Sequence, residues 1–188
     1  MHPEEGHQFL PQRYKMGHHT YGVEGKGGIM FIRDQSYPER NGTFEIGNYC
    51  SVAPNIKIYL GVYHRMDWIS MYPFPETCWA QGHPTNGGNV KIGNDVWICD
   101  GVTIMGGVTI GDGAVIACNS HVVKDVEPFS LHGGNPNRFI KWRFPEEIRE
   151  KLLKLKWWDF PHDEVKKIEH LLCSSNFGRL FDMYSQRL

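Results

Sequence analysis

One stretch of the sequence, VYHRMDWISMYPF, combines a histidine with an acidic residue and several aromatic side chains. Its histidine, His64, can act as a general base, because imidazole titrates near neutral pH and can take a proton from a weakly acidic hydroxyl. Asp67 can orient that imidazole, bind an acceptor amine or cap a turn. Trp68, Tyr72 and Phe74 can stack on the face of a substrate ring or pack within the loop. The alternative for His64 is a hydrogen bond that only holds the loop together.

A six-residue repeat predicts the scaffold that must position these side chains. Each hexad opens with an aliphatic residue and carries a small or β-branched residue in its fifth position. The opening residues are Ile46, Val52 and Ile58 in a first block, and Ile92, Ile98, Ile104, Ile110, Ile116 and Val122 in a second. This period matches neither a helix nor a simple alternating strand. Three hexads, each a short strand and a turn, close one triangular coil of a solenoid with the aliphatic residues inside.

The corners of such coils need residues that accept tight or positive backbone angles. The expected corner residues are Asn48, Asn55, Gly93, Asn94, Gly111 and Asp112. A sandwich of ordinary strands is the alternative fold, but it would need longer alternating strands and irregular turn spacing.

The two blocks of hexads are separated by an insertion. About 28 residues, near 59–89, must leave the coil and return to it between the hexads that open at Ile58 and Ile92. Long loops on a rigid scaffold are usually functional, and this one contains His64. We therefore predict that the loop carries the active site.

The chain is predicted to form a single domain over residues 1–188. The β-helix covers about 20–127, and residues about 128–188 follow as an irregular basic stretch and C-terminal helices. The helices are expected to begin at Pro145 and after Pro161, with a third over about 178–186, and to cap the coil or pack on a neighbouring subunit.

Composition excludes several classes of protein. The 188 residues include 20 Lys and Arg against 21 Asp and Glu, a net charge of -1 that lacks the basic excess typical of nucleic-acid binding. The five unpatterned cysteines indicate reduced thiols, and the chain shows neither a signal peptide nor 18 consecutive apolar residues. We therefore expect a cytoplasmic protein with no membrane span.

The hexads, HRMDWISMYPF, KIGNDVWI, GGNPNRFIKWRF and KWWDFP resemble the hexapeptide-repeat xenobiotic acetyltransferases. This family includes type B chloramphenicol and streptogramin acetyltransferases and relatives that act on sugars, and the similarity runs from about Tyr21 to the C-terminus. The resemblance implies a left-handed parallel β-helix and a homotrimer with active sites between subunits. It also implies acetyl-CoA as donor to a small-molecule acceptor.

The same resemblance assigns four residues. His64 matches the loop histidine that serves as general base. Cys118 matches a coil position whose backbone meets the pantetheine arm of the coenzyme. Lys124 and Lys141 match basic positions near the coenzyme phosphates.

Several departures from the family pattern bear on structure and substrate. Val123 replaces a common threonine, and Gly106 replaces the usual proline, which is expected to loosen that corner. TYGVEGKGG and a compact loop stand where the antibiotic-modifying members have a Tyr-rich N-terminal segment and a longer insertion. IYLGVYHRMDW resembles the sugar-modifying branch, so the expected acceptor is a hydroxyl or amino group of a sugar or nucleotide sugar. An antibiotic acceptor is the alternative.

The sequence leaves three alternatives to direct transfer from acetyl-CoA. Cys118 and a histidine could form an acetyl-enzyme, although the cysteine occupies a small-residue position of its hexad. A metal enzyme of the γ-carbonic anhydrase type would need His64, His83 and His121 to converge on zinc; the coils contain no H-x4-H pair, and no metal is expected. A non-catalytic scaffold would need neither the aromatic loop nor the basic segment.

Overall fold

The computed structural model describes residues 14–25, 27–36, 38–74 and 82–188, and its strands form three mainly parallel sheets and one two-stranded antiparallel hairpin. The first sheet contains β1 (Tyr14–Met16), β3 (Phe44–Ile46), β8 (Val90–Ile92) and β11 (Thr109–Ile110). The second contains β2 (Met30–Ile32), β5 (Lys57–Tyr59), β10 (Thr103–Ile104) and β13 (His121–Val122). The third contains β4 (Ser51–Val52), β9 (Trp97–Ile98), β12 (Val115–Ile116), β14 (Ser130–Gly133) and β15 (Arg138–Trp142).

The strand register confirms that three hexads make one coil. Trp97 lies opposite Val115, and Thr103 lies opposite His121, so neighbouring strands of a sheet are 18 residues apart. Across the insertion the spacing is 46 residues, as between Ile58 and Ile104. The difference of 28 residues agrees with the size of the loop expected from the hexads.

The aliphatic hexad residues form the core inside the three sheets. Ile58, Ile98, Ile104, Ile110 and Ile116 are all 0% exposed. They belong to one buried cluster that draws on strands of every sheet. Burial of these side chains supplies the main favourable free energy of the coil, since the short strands themselves offer few hydrogen bonds each.

Asn48, Asn55, Asn94 and Asp112 lie in turns or bends, as expected for corners, but positive φ falls mostly on other residues. Among the expected corner residues only Asn55 has a positive φ; the other non-glycine residues with positive φ include Tyr49, Asp95, Asn119 and Phe129. Asn48 and Asn94 instead accept backbone N–H groups through their side-chain oxygens, at 2.7 and 2.8 Å. At these two corners the positive φ falls on the residue after the asparagine, Tyr49 and Asp95.

Two strands lie before the first predicted hexad, and two follow the last. β1 and β2 pair with β3 and β5, so the coil begins earlier than residue 20. The stretch after Pro128 was expected to be irregular, and this prediction is wrong. β14 continues the third sheet beside β12, and β15 folds back on β14 as an antiparallel hairpin.

The C-terminal helices α1 (Glu146–Leu155), α2 (His162–Leu172) and α3 (Phe177–Met183) confirm the three predicted helices. They bury a second apolar cluster that includes Phe129 and Trp158. The cluster contacts a corner of the same chain, where the His19 and His162 rings stack at 4.7 Å and Asn48 donates to the Trp158 carbonyl at 3.1 Å. Among the described helices, none is long and apolar enough to cross a membrane.

Candidate active site

The insertion starts as a small hairpin that holds its ends together. β6 (Val62–Tyr63) pairs antiparallel with β7 (Thr85–Asn86), and the Thr85 hydroxyl donates to the Tyr63 carbonyl at 3.1 Å. His64 is the first residue beyond β6. Because the hairpin stands directly on the coil, the backbone at His64 is placed by regular hydrogen bonds instead of by the loop alone.

Arg40 anchors the returning side of the insertion. It lies in a 3-10 turn, Pro38–Arg40, and its Nη1 donates to the carbonyls of His83 and Pro84, at 3.1 Å each. His83 is buried, and its ring lies edge-on to that of His64 with centroids 5.1 Å apart. The coil thus supports His64 from both strands of the hairpin.

One hydrogen bond of His64 defines its proton chemistry. The Nδ1 atom lies 2.7 Å from the Met71 carbonyl oxygen, and the His64 side chain is exposed. Since a carbonyl oxygen can only accept, Nδ1 must carry the hydrogen in this contact. In the neutral ring Nε2 is then the unprotonated nitrogen, and it is able to accept a proton from a substrate.

Asp67 is engaged by its neighbour Arg65. Arg65 Nε donates to Asp67 Oδ1 at 2.7 Å, and a second, shorter contact joins Nη2 to Oδ2. The hydrogen bond from Arg65 lowers the pKa of Asp67 to about 2. Of the roles that the sequence allowed, orientation of His64 is the one this geometry does not support, because the Met71 carbonyl takes that place.

The pH dependence of turnover should therefore not report Asp67. Because the pKa of Asp67 is lowered, its carboxylate stays charged as the pH falls from neutral, and the charge is lost only near pH 2. We expect Asp67→Asn to leave the midpoint of the acidic limb of kcat/KM unchanged, in rates measured from pH 5 to 9, roughly the range where an enzyme base titrates. Asp182→Asn, on α3, is the matched control. A shift of the midpoint by more than about half a unit would show that Asp67 is coupled to the base.

The aromatic residues of the loop divide into two groups. The Trp68 ring lies 6.1 Å from His83 and under the Arg65 guanidinium at 5.1 Å, so it packs within the loop. Tyr72 and Phe74 contact each other edge-on at 4.9 Å and are 63% and 54% exposed. The second pair is the one that presents aromatic surface to solvent.

The predicted coenzyme residues lie on the last coils and the hairpin that follows them. Cys118 is at the corner between β12 and β13, Lys124 follows β13, and Lys141 is in β15; all three are exposed. In the described part of the chain, the hydrogen bonds, ion pairs and ring contacts do not join any of them to His64.

Arg143 and Cys99, which are close to the predicted coenzyme residues Lys141 and Cys118, each have an environment that argues against a chemical role. Arg143, which the sequence placed in the same basic stretch, donates to the Gly113 carbonyl at 2.5 Å and lies 3.4 Å from the Asp95 carboxylate. Burial raises the pKa of Cys99 to about 11, with Cys118 as a further cause. Arg143 is thus occupied by the coil, and Cys99 is a poor candidate for a thiolate nucleophile.

Sequence reasoning missed Tyr63, Arg40 and the Met71 carbonyl. The roles of Tyr63 and Arg40 can be recognised only when it is known that the two ends of the loop meet. The Met71 carbonyl carries none, because every residue supplies the same main-chain oxygen.

Comparisons with known proteins place this scaffold in a family. The family model described as bacterial transferase hexapeptide (six repeats) matches residues 89–124. A probable macrolide acetyltransferase of Lysinibacillus sphaericus is 46% identical over 76% of this chain and 84% of the relative. A chloramphenicol acetyltransferase of Escherichia coli is 39% identical over 72% of this chain and 69% of the relative.

A solved structure shows the same relationship. A hexapeptide-repeat acetyltransferase of Vibrio cholerae O1 biovar eltor, in complex with acetyl-CoA, superposes with a TM-score of 0.53 and 26% identity. The match covers 71% of this chain and 62% of the solved chain, so this chain spans about six tenths of that protein. The chain belongs to the hexapeptide-repeat acetyltransferases, which confirms the predicted enzyme class, an acyltransferase.

No group of three or more His, Cys, Asp and Glu side chains that could hold a metal is present among residues 14–25, 27–36, 38–74 and 82–188. His64 and His83 are in ring contact, whereas His121 lies in β13, on a coil strand.

Proposed function

We propose that this protein transfers the acetyl group of acetyl-CoA to a hydroxyl of a small amphipathic molecule, with His64 as general base. The observation that carries the proposal is the bond from His64 Nδ1 to the Met71 carbonyl, because it leaves Nε2 as the proton acceptor. Family membership supports acetyl-CoA as the donor, and the Vibrio cholerae relative was solved with that molecule.

The proposed reaction is a direct attack on the thioester. His64 Nε2 takes the proton as the acceptor oxygen bonds to the acetyl carbonyl carbon, which forms a tetrahedral intermediate. The carbon–sulfur bond then breaks, and the imidazolium returns the proton to the leaving thiolate. The products are the acetyl ester and the free thiol of CoA, and His64 regains its starting state.

The exposed side of the loop favours an amphipathic acceptor. Met66, Ile69 and Met71 are 82%, 110% and 59% exposed, and the Tyr72–Phe74 pair adds aromatic surface. A sugar site would be expected to offer several hydrogen-bonding side chains, whereas apolar side chains suit macrolide-like or phenicol-like molecules. The macrolide and chloramphenicol acetyltransferases among the relatives support the same class.

A sugar or nucleotide-sugar acceptor is the second candidate. It rests on the resemblance of IYLGVYHRMDW to the sugar-modifying branch. Transfer to an amine belongs to both candidates, since His64 would remove a proton from either nucleophile.

We further propose a left-handed coil and a homotrimer in the cytoplasm. Within one subunit His64 has no bonded or ring contact with Cys118, Lys124 or Lys141 among the described residues, and a site between subunits would bring the two groups together. Cys118 would then contact the pantetheine arm through its backbone, and the two lysines the phosphates.

An acceptor screen tests the substrate class. We expect thiol release from acetyl-CoA in the presence of a macrolide or chloramphenicol, with kcat/KM at least about tenfold above that for free sugars and nucleotide amino sugars, since a pocket for apolar groups gains about 1–3 kcal/mol per added group. Thiol is followed by a disulfide dye, and mass spectrometry identifies the acetylated product.

The control omits the acceptor, which measures hydrolysis of the thioester. A preference for sugars in that screen would replace the amphipathic acceptor by the second candidate. Absence of acetyl transfer to any hydroxyl or amine would contradict the proposed reaction itself.

A further inference from the structure

Tyr63, the residue before His64, sends its side chain away from the loop and onto the coil. The Gly106 N–H donates to the Tyr63 phenolic oxygen at 3.1 Å. The ring lies against Gly87, since a Cβ added there would be 3.3 Å from two of its ring carbons. One side chain therefore links the loop strand β6 to a corner of the neighbouring coil.

Gly106 is suited to this link in two ways. A proline, the residue that the family resemblance leads one to expect, has no N–H to donate. A Cβ at this position would also lie 2.3 Å from the Gly87 carbonyl oxygen and 2.9 Å from that of Tyr59. The expectation that glycine loosens this corner is therefore not what the structure shows, because the glycine permits both a close approach and an added hydrogen bond.

The main chain of Tyr63 is held as well. It pairs with Thr85 across the hairpin, and its carbonyl accepts the Thr85 hydroxyl at 3.1 Å. Because both its side chain and its backbone are bonded, Tyr63 has little freedom to move, and this restrains the backbone of His64, the next residue. A catalytic base must be placed within a fraction of an ångström of its substrate, so the restraint has a direct use.

We propose that Tyr63 is a positioning residue that fixes His64 relative to the coil through its bond with Gly106. The proposal rests on the proposed function, because it gives His64 the role of base. It adds a residue pair, Tyr63 and Gly106, that couples the placement of the base to the packing of the scaffold.

The test is Tyr63→Phe, which removes only the hydroxyl that accepts the Gly106 N–H. We expect kcat per competent site, counted by acetyl-CoA titration, to fall about tenfold, while KM for acetyl-CoA stays within about twofold. Counting sites matters because a variant that merely unfolds in part would lose sites and keep kcat for those that remain. Tyr59→Phe, at the end of β5, is the matched control and should keep full activity.

A second measurement does not depend on activity. Hydrogen exchange of the Gly106 amide should be slow in the wild-type protein and at least about tenfold faster in Tyr63→Phe, because the amide loses its acceptor. If the variant does not fold, slow exchange of this amide in the wild type still supports the bond. Rapid exchange there overturns the proposal.

His64→Ala, assayed in parallel, separates the two claims. If it is inactive and Tyr63→Phe turns over like the wild type, the positioning role is wrong and the proposed base stands. If His64→Ala itself keeps near-normal turnover, both claims fail. Unchanged exchange at Gly106 in Tyr63→Phe also overturns the link, whatever the rates.

Discussion

Alanine in place of His64 is expected to lower kcat by about 10²- to 10⁴-fold, the range that a general base contributes. The reason is that imidazole Nε2 is the proposed proton acceptor, since Nδ1 is bonded to the Met71 carbonyl, and alanine has no group that can take the proton. KM for acetyl-CoA should change little, because the residues predicted to contact the coenzyme are Cys118, Lys124 and Lys141 and do not include His64. Steady-state rates by thiol release and acetyl-CoA binding by calorimetry measure the two quantities.

The matched control is His170→Ala, which removes an exposed histidine from α2. It should leave kcat unchanged, and both variants should keep the oligomeric state of the wild type. A His64→Ala variant with more than about a tenth of wild-type kcat would contradict the assignment of the base, since it falls outside the range expected for that role.

Truncation of Ile104 to alanine is expected to lower the free energy of unfolding by about 2–5 kcal/mol, the cost of a buried cavity of this size. Ile104 is 0% exposed and lies between Ile58 and Val122 on the neighbouring coils. The cavity would open in the middle of the stack, where coils on both sides restrict collapse. Urea unfolding, at one fixed protomer concentration, measures the change.

Thr103→Ala is the control for that experiment, because Thr103 precedes Ile104 in β10 and points to the opposite face. It is only partly buried, and we expect a change within about 0.5 kcal/mol. A loss below about 1 kcal/mol for Ile104→Ala would show that the core tolerates the missing methyl groups better than a close-packed interior does.

The coil was predictable because its physics is repeated in the sequence. Every hexad must place one aliphatic side chain inside, so the positions of Ile92 to Val122 specify strand, register and sheet together. The predicted β-helix began at about residue 20 and so left out β1, and no hexads were found before Ile46 because β1 and β2 do not keep the six-residue spacing. Likewise β14 and β15 replace the hexad pattern by a hairpin. The residues that β14 buries are the polar Ser130 and His132, and Arg138–Trp142 of β15 are all exposed, so neither strand shows the aliphatic hexad period.

Only part of the candidate site could be predicted from the sequence. His64 stands out by residue type and by resemblance, but its partner is a main-chain oxygen of Met71 that no residue type announces. Asp67 illustrates the converse, since proximity in sequence suggested an orienting carboxylate and the ion pair with Arg65 satisfies it instead. Gly106 differed from expectation because its use depends on Tyr63, which is 43 residues distant in the chain.

The register of 18 residues per coil sets how a chain of this kind can change length. Gain or loss of a whole coil returns every later strand to its own face, whereas a change of one hexad would carry each of them to the next face and break all later pairings. An insertion at a corner leaves the later pairings intact, provided that its two ends return to the same point, as the ends of the loop do at β6 and β7. Evolution can therefore lengthen the shaft only in whole coils, while new chemistry is added at the corners, one loop at a time.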